Sequence, residues 1–206
     1  MPSKIQTTLL TTLTLATLSD AHGYFVSPLG RQPGPHFAAA CSQQAYYNMV
    51  GSIYSHIQGL QQVVATQSDY HAEACNLWMC KGMKYADNTG NVRTYTPGQE
   101  VDLYHPIVAP HTGYANVSIV STATNTVLVA NLSHWDVYAS NAVPKVTSQE
   151  NFTVTMPTGL GGRCATAGEC VIQMFWNAES VRQTYESCID FTMGSGSQWR
   201  HARGWV

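Results

Sequence analysis

Apolar and polar residues alternate in short runs through the second half of the chain. These runs are rich in Val, Ile, Thr and aromatic residues, which is typical of β-strands with one buried face. They lie in YTPGQEVDLYHPIV, ANVSIVST, TVLVANLS, HWDVYAS, NFTVTMP, CVIQMFW and ESCIDFTMG, with turn signals at Pro97-Gly98, Thr124-Asn125 and Gly161-Gly162. Many short strands at close spacing predict an all-β fold, an immunoglobulin-like or fibronectin-like β-sandwich.

The first half of the mature region has a different pattern. The segment HGYFVSP predicts an extended strand that ends at Pro28, and RQPGPHF is expected to be irregular because of its prolines and glycine. Residues 38–67 predict one or two short helices. The sandwich should therefore carry a long loop region with short helices.

Residues 1–21 have the pattern of a secretory signal peptide. Lys4 is followed by the mildly apolar stretch TTLLTTLTLATL, and the small residues Ser19 and Ala21 precede His22. An N-terminal amphipathic helix is the alternative, but the stretch has no charged stripe, and it is too short for a stable membrane span. We expect cleavage after Ala21 and a secreted, extracellular protein.

Length and composition narrow the range of functions. The chain of 206 residues suits one domain, predicted at 22–193, with 194–206 as a tail or linker stub. Only 11% of residues are charged, the net charge is -2 and no basic stripe is visible, so no nucleic-acid partner is expected. A hydrophobic content of 44% argues against disorder. We expect a monomer without a membrane partner.

Six cysteines predict disulfides in a secreted protein. A zinc site is the alternative, but the sequence has no CxxC pair. Many pairings are open to six cysteines. Cys75–Cys80 and Cys164–Cys170 are plausible local loops, and Cys41–Cys188 would then tie the N-terminal region to the last strand. Sequons that permit N-glycosylation in a eukaryotic host stand at Asn116, Asn131 and Asn151.

Cleavage after Ala21 would make His22 the first residue, with two nitrogen donors for one metal ion. Its α-amine and ring Nδ1 can close a chelate ring, and a second histidine would complete a planar set of three nitrogens. Such a set favours copper. His111 is the best second candidate, because Ala109 is small and Gly113 permits a close approach. The alternative for any histidine here is a surface or core position without a metal.

Gln183 and Tyr185 point to the same side of an extended segment, because side chains alternate with a period of two. A phenol beside copper could occupy a weak axial position, and an amide could hydrogen-bond to an oxygen species near the metal. The alternative is that Tyr185 is an ordinary core aromatic and Gln183 a surface residue.

Three segments together resemble the lytic polysaccharide monooxygenases: HGYFVSP after the signal peptide, APHTG with an Ala-x-His pattern, and QTYESCIDF with Gln-x-Tyr and Cys-x-Asp patterns. The resemblance covers nearly all of residues 22–193. The segments QSDY, CNLWMCKG, YADNTGNV and YTPGQEV look most like the fungal auxiliary activity family sixteen.

The resemblance implies one copper ion per chain, with His22 and His111 as equatorial ligands and Tyr185 as the axial residue. Gln183 would be the neighbouring amide and Ala109 the small residue near the open axial side. The implied activity is oxidative cleavage of crystalline polysaccharide by hydrogen abstraction next to the glycosidic bond. Cellulose oxidised at carbon 1 is favoured over chitin. The reaction would need an external electron donor and dioxygen or hydrogen peroxide.

Substrate contact and the competing functions stay open from the sequence. Four aromatic residues could form a flat stacking surface or pack beneath loops: Tyr46, Tyr47, Tyr54 and Trp78. The main rival function is a non-catalytic secreted copper-binding protein with the same histidine brace. A chitin-active monooxygenase and a metal-free carbohydrate-binding module are the others.

Overall fold

The computed structural model describes residues 22–194; the predicted signal peptide and, apart from Gly194, the predicted tail lie outside the described residues. The strands are β1 His22–Gly23, β2 Arg93–Tyr95, β3 Glu100–Tyr104, β4 Ile107–Ala109, β5 Gly113–Ser121, β6 Thr126–Tyr138, β7 Asn151–Thr155, β8 Cys170–Ala178 and β9 Gln183–Met193. The helices are α1 Pro35–Cys41, α2 Gln43–Gly51, α3 Ile57–Val64, α4 Ala72–Cys75 and α5 Thr147–Glu150. Short 3-10 turns span Cys80–Gly82, Tyr85–Asp87 and Glu179–Val181.

Two layers of strands form a β-sandwich, as the alternating pattern predicted. One layer is a five-stranded sheet with the order β2-β9-β8-β5-β6, in which β2 runs parallel to β9 and the other pairs are antiparallel. The second layer consists of the pairs β1-β4 and β3-β7, linked by a bridge between Ser27 and Tyr104. Apolar side chains of both layers, such as Leu103, Val154, Ile119 and Trp176, meet in one buried core.

The helices form a separate layer against the outer face of β9. A second apolar cluster lies among them and includes Phe37, Met49 and Leu60. Three helices, α1 to α3, occupy the region where one or two were expected. The helix α1 begins at Pro35, inside the segment that was expected to be irregular, because proline is tolerated at the first position of a helix. Within residues 22–194, no helix has the length and hydropathy needed to cross a membrane.

Strand boundaries differ from the expected ones at three places. The runs TVLVANLS and HWDVYAS form one continuous strand, β6, which is bulged at Asn131 (φ 55°). The run YTPGQEVDLYHPIV is divided into β3 and β4 at His105-Pro106, because proline has no N–H group to donate to a ladder. Of HGYFVSP, only His22–Gly23 lies in a strand.

The disulfides are Cys41–Cys75, Cys80–Cys188 and Cys164–Cys170. The predicted Cys164–Cys170 pair is therefore confirmed, and the predicted Cys41–Cys188 and Cys75–Cys80 pairs are wrong. Proximity in sequence misled the prediction, because Cys75 ends α4 among the helices whereas Cys80 packs with Cys188 of β9. The Cys80–Cys188 bond ties the helical layer to the last strand.

Candidate metal centre

The backbone of the first described strand is fixed beside β4. In this two-stranded pair the backbone of His22 lies opposite Ala109, which is two residues before His111 in the sequence. Gly23 allows this placement, because a Cβ at Gly23 would lie 2.3 Å from Cε1 of His105. The side chain of His22 lies outside the described part of the structure, and its predicted role as a ligand stays a prediction.

The loop that carries His111 is held close to the β8–β9 hairpin. It joins β4 to β5, and the Asn141 N–H group donates to Thr112 Oγ1 at 2.8 Å. A Cβ on Gly113 would lie 2.0 Å from the carbonyl oxygen of Asn177, so only glycine permits this approach. The loop thus brings His111 to the end of the sheet where β9 begins.

His111, Gln183 and Tyr185 meet at that end. The Nδ1 atom of His111 lies 3.2 Å from Oε1 of Gln183, and the Tyr185 hydroxyl donates to the same oxygen. A carbonyl oxygen only accepts hydrogen bonds, so Nδ1 of His111 carries the hydrogen and Nε2 keeps its lone pair. A neutral imidazole of this form can bind a metal through Nε2.

The ring and the hydroxyl of Tyr185 lie in different surroundings. Its side chain is 1% exposed, its ring stacks on Trp176 with centroids 4.7 Å apart, and the His56 ring lies 6.0 Å away. The ring therefore belongs to the sandwich core, as one of the sequence-based readings had it, while the hydroxyl reaches Gln183. Sequence reasoning missed His56, which comes from the start of α3, far from β9 in sequence.

Burial dominates the electrostatics of the interior. Removal from water lowers the pKa of His105 to about 3, with a smaller contribution from the positive charge of Lys81. Burial also lowers the pKa of Lys81 to about 7 and raises that of Glu186 to about 8. His105 is therefore neutral at physiological pH, and it supports β1 as a packed, uncharged ring.

The four aromatic residues for which the sequence left open a stacking surface or packing beneath loops differ in their surroundings. Tyr47 is 60% exposed, whereas Tyr46 and Tyr54 pack partly against the helical cluster. Trp78 is exposed, but its carbonyl oxygen accepts a hydrogen bond from Asn125, in the β5–β6 turn. That turn lies at the opposite end of β5 from His111, roughly 27 Å away at the rise of a β-strand. The backbone of Trp78 therefore lies far from His111 along β5.

The donor chemistry of this end of the sheet fits a copper ion. Imidazole nitrogen is a preferred copper ligand, and Nε2 of His111 has its lone pair available. Among the described side chains, no three His, Cys, Asp or Glu residues group as a metal site. A metal bound here would need the additional nitrogens of His22, which a free amino terminus offers.

Comparisons with known proteins agree with this chemistry. The model of a family described as "Lytic polysaccharide mono-oxygenase, cellulose-degrading" matches residues 22–191. A comparison with curated protein sequences gave no match. Similar solved structures include an AA10 lytic polysaccharide monooxygenase from Streptomyces lividans, at 16% identity and a TM-score of 0.43, over 83% of this chain and 99% of that one. A lytic polysaccharide monooxygenase from Jonesia denitrificans is 14% identical, with a TM-score of 0.41 over 84% of this chain and 100% of that one. A chitin binding domain from Burkholderia pseudomallei is 10% identical, with a TM-score of 0.43 over 85% of this chain and 100% of that one.

The expected resemblance to the fungal auxiliary activity family sixteen is wrong, because the matching family model is that of family ten. The segments behind the finer resemblance, QSDY, CNLWMCKG, YADNTGNV and YTPGQEV, lie mostly in loops and turns. Loops vary more among related proteins than core strands do, so short matches in loops distinguish related families poorly.

Proposed function

The chain belongs to the family of copper-dependent lytic polysaccharide monooxygenases, and from that premise we propose that it cleaves crystalline cellulose with oxidation at carbon 1. Bound copper, reduced by an external electron donor, supplies the oxidation of a C–H bond next to the glycosidic bond with dioxygen or hydrogen peroxide as co-substrate. The description of the family as cellulose-degrading supports cellulose. Chitin is the alternative substrate, because one similar structure is described as a chitin binding domain.

The proposed ligands are the α-amine and Nδ1 of His22 and Nε2 of His111. This assignment includes cleavage after Ala21, which frees the amine, and secretion of the chain from residue 22. The observation that carries it is the register of β1 on β4, which puts the backbone of His22 opposite Ala109 and beside the His111 loop.

Gln183 and Tyr185 complete the proposed site without binding the metal strongly. The Gln183 oxygen accepts from Nδ1 of His111 and so holds the ring with Nε2 available. Its amide N–H groups are proposed to donate to the co-substrate. The hydroxyl of Tyr185 would lie beside the bound ion, and the stacking of its buried ring on Trp176 limits its movement.

The test is mass spectrometry of the soluble products formed by copper-loaded protein that begins at His22, with ascorbate and either cellulose or chitin. We expect cello-oligosaccharides that end in an aldonic acid, and none without ascorbate or with His111→Ala. If only oxidised chito-oligosaccharides are formed, the substrate is chitin and not cellulose. Copper binding without any oxidised sugar would show that the protein is a non-catalytic copper-binding protein and not this enzyme.

A further inference from the structure

We infer that Gln58 is a positioning residue for this site: from the helical layer it fixes the stretch of β9 that carries Gln183 and Tyr185. The inference rests on the proposed function, because it concerns how the same site is held. The Gln58 Oε1 atom accepts from the Thr184 N–H group at 2.8 Å, and Gln58 Nε2 donates to Thr184 Oγ1 at 3.0 Å. Both groups of one amide thus bind the single residue between Gln183 and Tyr185.

The two hydrogen bonds between Gln58 and Thr184 take the place of a strand neighbour. The strand β2 pairs with β9 only at Phe191–Met193, so within the described residues the outer edge of β9 has no strand partner at its Gln183 end. An unpaired N–H group at an edge frays or binds water unless another acceptor replaces the ladder. The Gln58 side chain supplies that acceptor for the half-buried start of β9.

The start of β9 needs such support because it follows a tight connection. A 3-10 turn and Arg182, with a left-handed φ of 55°, precede Gln183 directly. Residues at positive φ are strained for side chains other than glycine. Gln58 adds a contact to the β9 backbone just beyond this turn, besides the pairing of the hairpin end with β8.

The helix that carries Gln58 is itself firmly placed. Ile57, Leu60 and Val64 are buried in the helical cluster, and the side chain of His56 accepts from the Gly59 N–H group at the start of α3. Because α3 is held by this packing, Gln58 is expected to fix the position of β9 and not to follow its movements.

Thr184 is also connected to the His111 side of the site. The Thr184 hydroxyl lies 3.4 Å from Oδ1 of Asn177, its cross-strand partner in β8, and the carbonyl of Asn177 is the group that Gly113 approaches. One series of contacts thus joins Gln58, Thr184, Asn177 and the His111 loop. A shift of Thr184 is expected to move Gln183 relative to His111.

Three variants separate this role from general stabilisation. Gln58→Met keeps the length of the side chain and removes both hydrogen bonds, whereas Gln58→Glu keeps the oxygen acceptor for the Thr184 N–H group and removes only the Nε2 donor. Gln61→Met is the matched control, because Gln61 is exposed on the same helix. Two measurements are compared with the wild type: hydrogen exchange of the Thr184 amide in copper-free protein, and the Cu(II) EPR spectrum of copper-loaded protein.

We expect Gln58→Met to speed exchange of the Thr184 amide about tenfold, the size expected for one lost hydrogen bond, and to change the Cu(II) spectrum. Gln58→Glu should restore slow exchange of the Thr184 amide, and Gln61→Met should change neither the exchange nor the spectrum. Unchanged exchange, or an unchanged spectrum in Gln58→Met, would overturn the inference. Failure of the proposed function is a separate result: it is the absence of oxidised sugars from the wild type, and it does not enter the comparison of variants.

Discussion

The carbonyl oxygen of Asn177 lies 2.0 Å from the point where a side chain on Gly113 would begin. This close approach joins the loop after β4 to the end of β8, and so it sets the distance between His111 and the start of β9. Neither neighbour can yield easily, because both atoms belong to the backbone of adjacent strands.

Replacing Gly113 by alanine should therefore lower stability and disturb the site together. We expect a loss of about 3 kcal/mol in the free energy of unfolding, at the upper end for an overpacked position, and weaker copper binding by the folded protein. Urea unfolding and copper titration measure the two effects. Gly159→Ala is the control, because a Cβ at Gly159 meets no atom within 4 Å; equal losses in the two variants would contradict the explanation.

The contact between His111 and Gln183 can be tested by removing the acceptor. Gln183→Leu keeps a similar volume but leaves Nδ1 of His111 without its partner, so the ring is less well oriented. Residues that orient a metal-binding histidine typically change affinity by about 10- to 100-fold, and we expect a loss of that size by calorimetric copper titration. Gln44→Leu, on the exposed side of α2, should bind copper as the wild type does.

The amino terminus is testable without changing any side chain. One additional residue before His22 converts the amine into an amide, and we expect tight copper binding to be lost. In protein that begins at His22, affinity should fall about tenfold for each pH unit below about 8, because protons compete for the amine. A tag at the carboxyl end is the control. Tight binding by the extended chain would show that the amine is not a ligand.

Acid should destabilise the fold through His105. Its pKa is about 3 in the folded chain and 6.5 as a free residue, so between these values the unfolded chain binds more protons. Stability therefore falls as pH falls through this window, by about 3 kcal/mol between pH 6.5 and pH 4. His105→Phe should reduce this slope in urea unfolding, and His134→Asn, at an exposed position, should not. The same slope in all three proteins would show that another group is responsible.

The sandwich itself could be predicted from the sequence because alternation with a period of two reports directly on burial. The same period placed Gln183 and Tyr185 on one side of β9, and the hydrogen bond between them agrees with that placement. The sequence also marked Gly113 as a residue that permits a close approach, and the backbone of Asn177 does approach it closely.

Contacts between distant segments could not be predicted in this way. The wrong pair Cys75–Cys80 joined cysteines by nearness in sequence and left Cys41 to be paired with Cys188, although the partner of Cys188 is Cys80, 108 residues away. Gln58 and Thr184 are separated by 126 residues, and nothing in the local pattern of α3 marks one glutamine from its neighbours. Such contacts depend on how the helical layer packs on β9, which is a tertiary property.

The bulge at Asn131 has a consequence for how copies of this protein meet in solution. The strand β6 forms one end of the five-stranded sheet and is 13 residues long, which would offer an extended template for edge-to-edge association. At Asn131 the backbone turns to φ 55° and its N–H group donates inward to Ser118 Oγ. A strand from another copy could therefore not keep its register along the whole of β6. The bulge thus opposes edge-to-edge association of copies through β6 at high protein concentration.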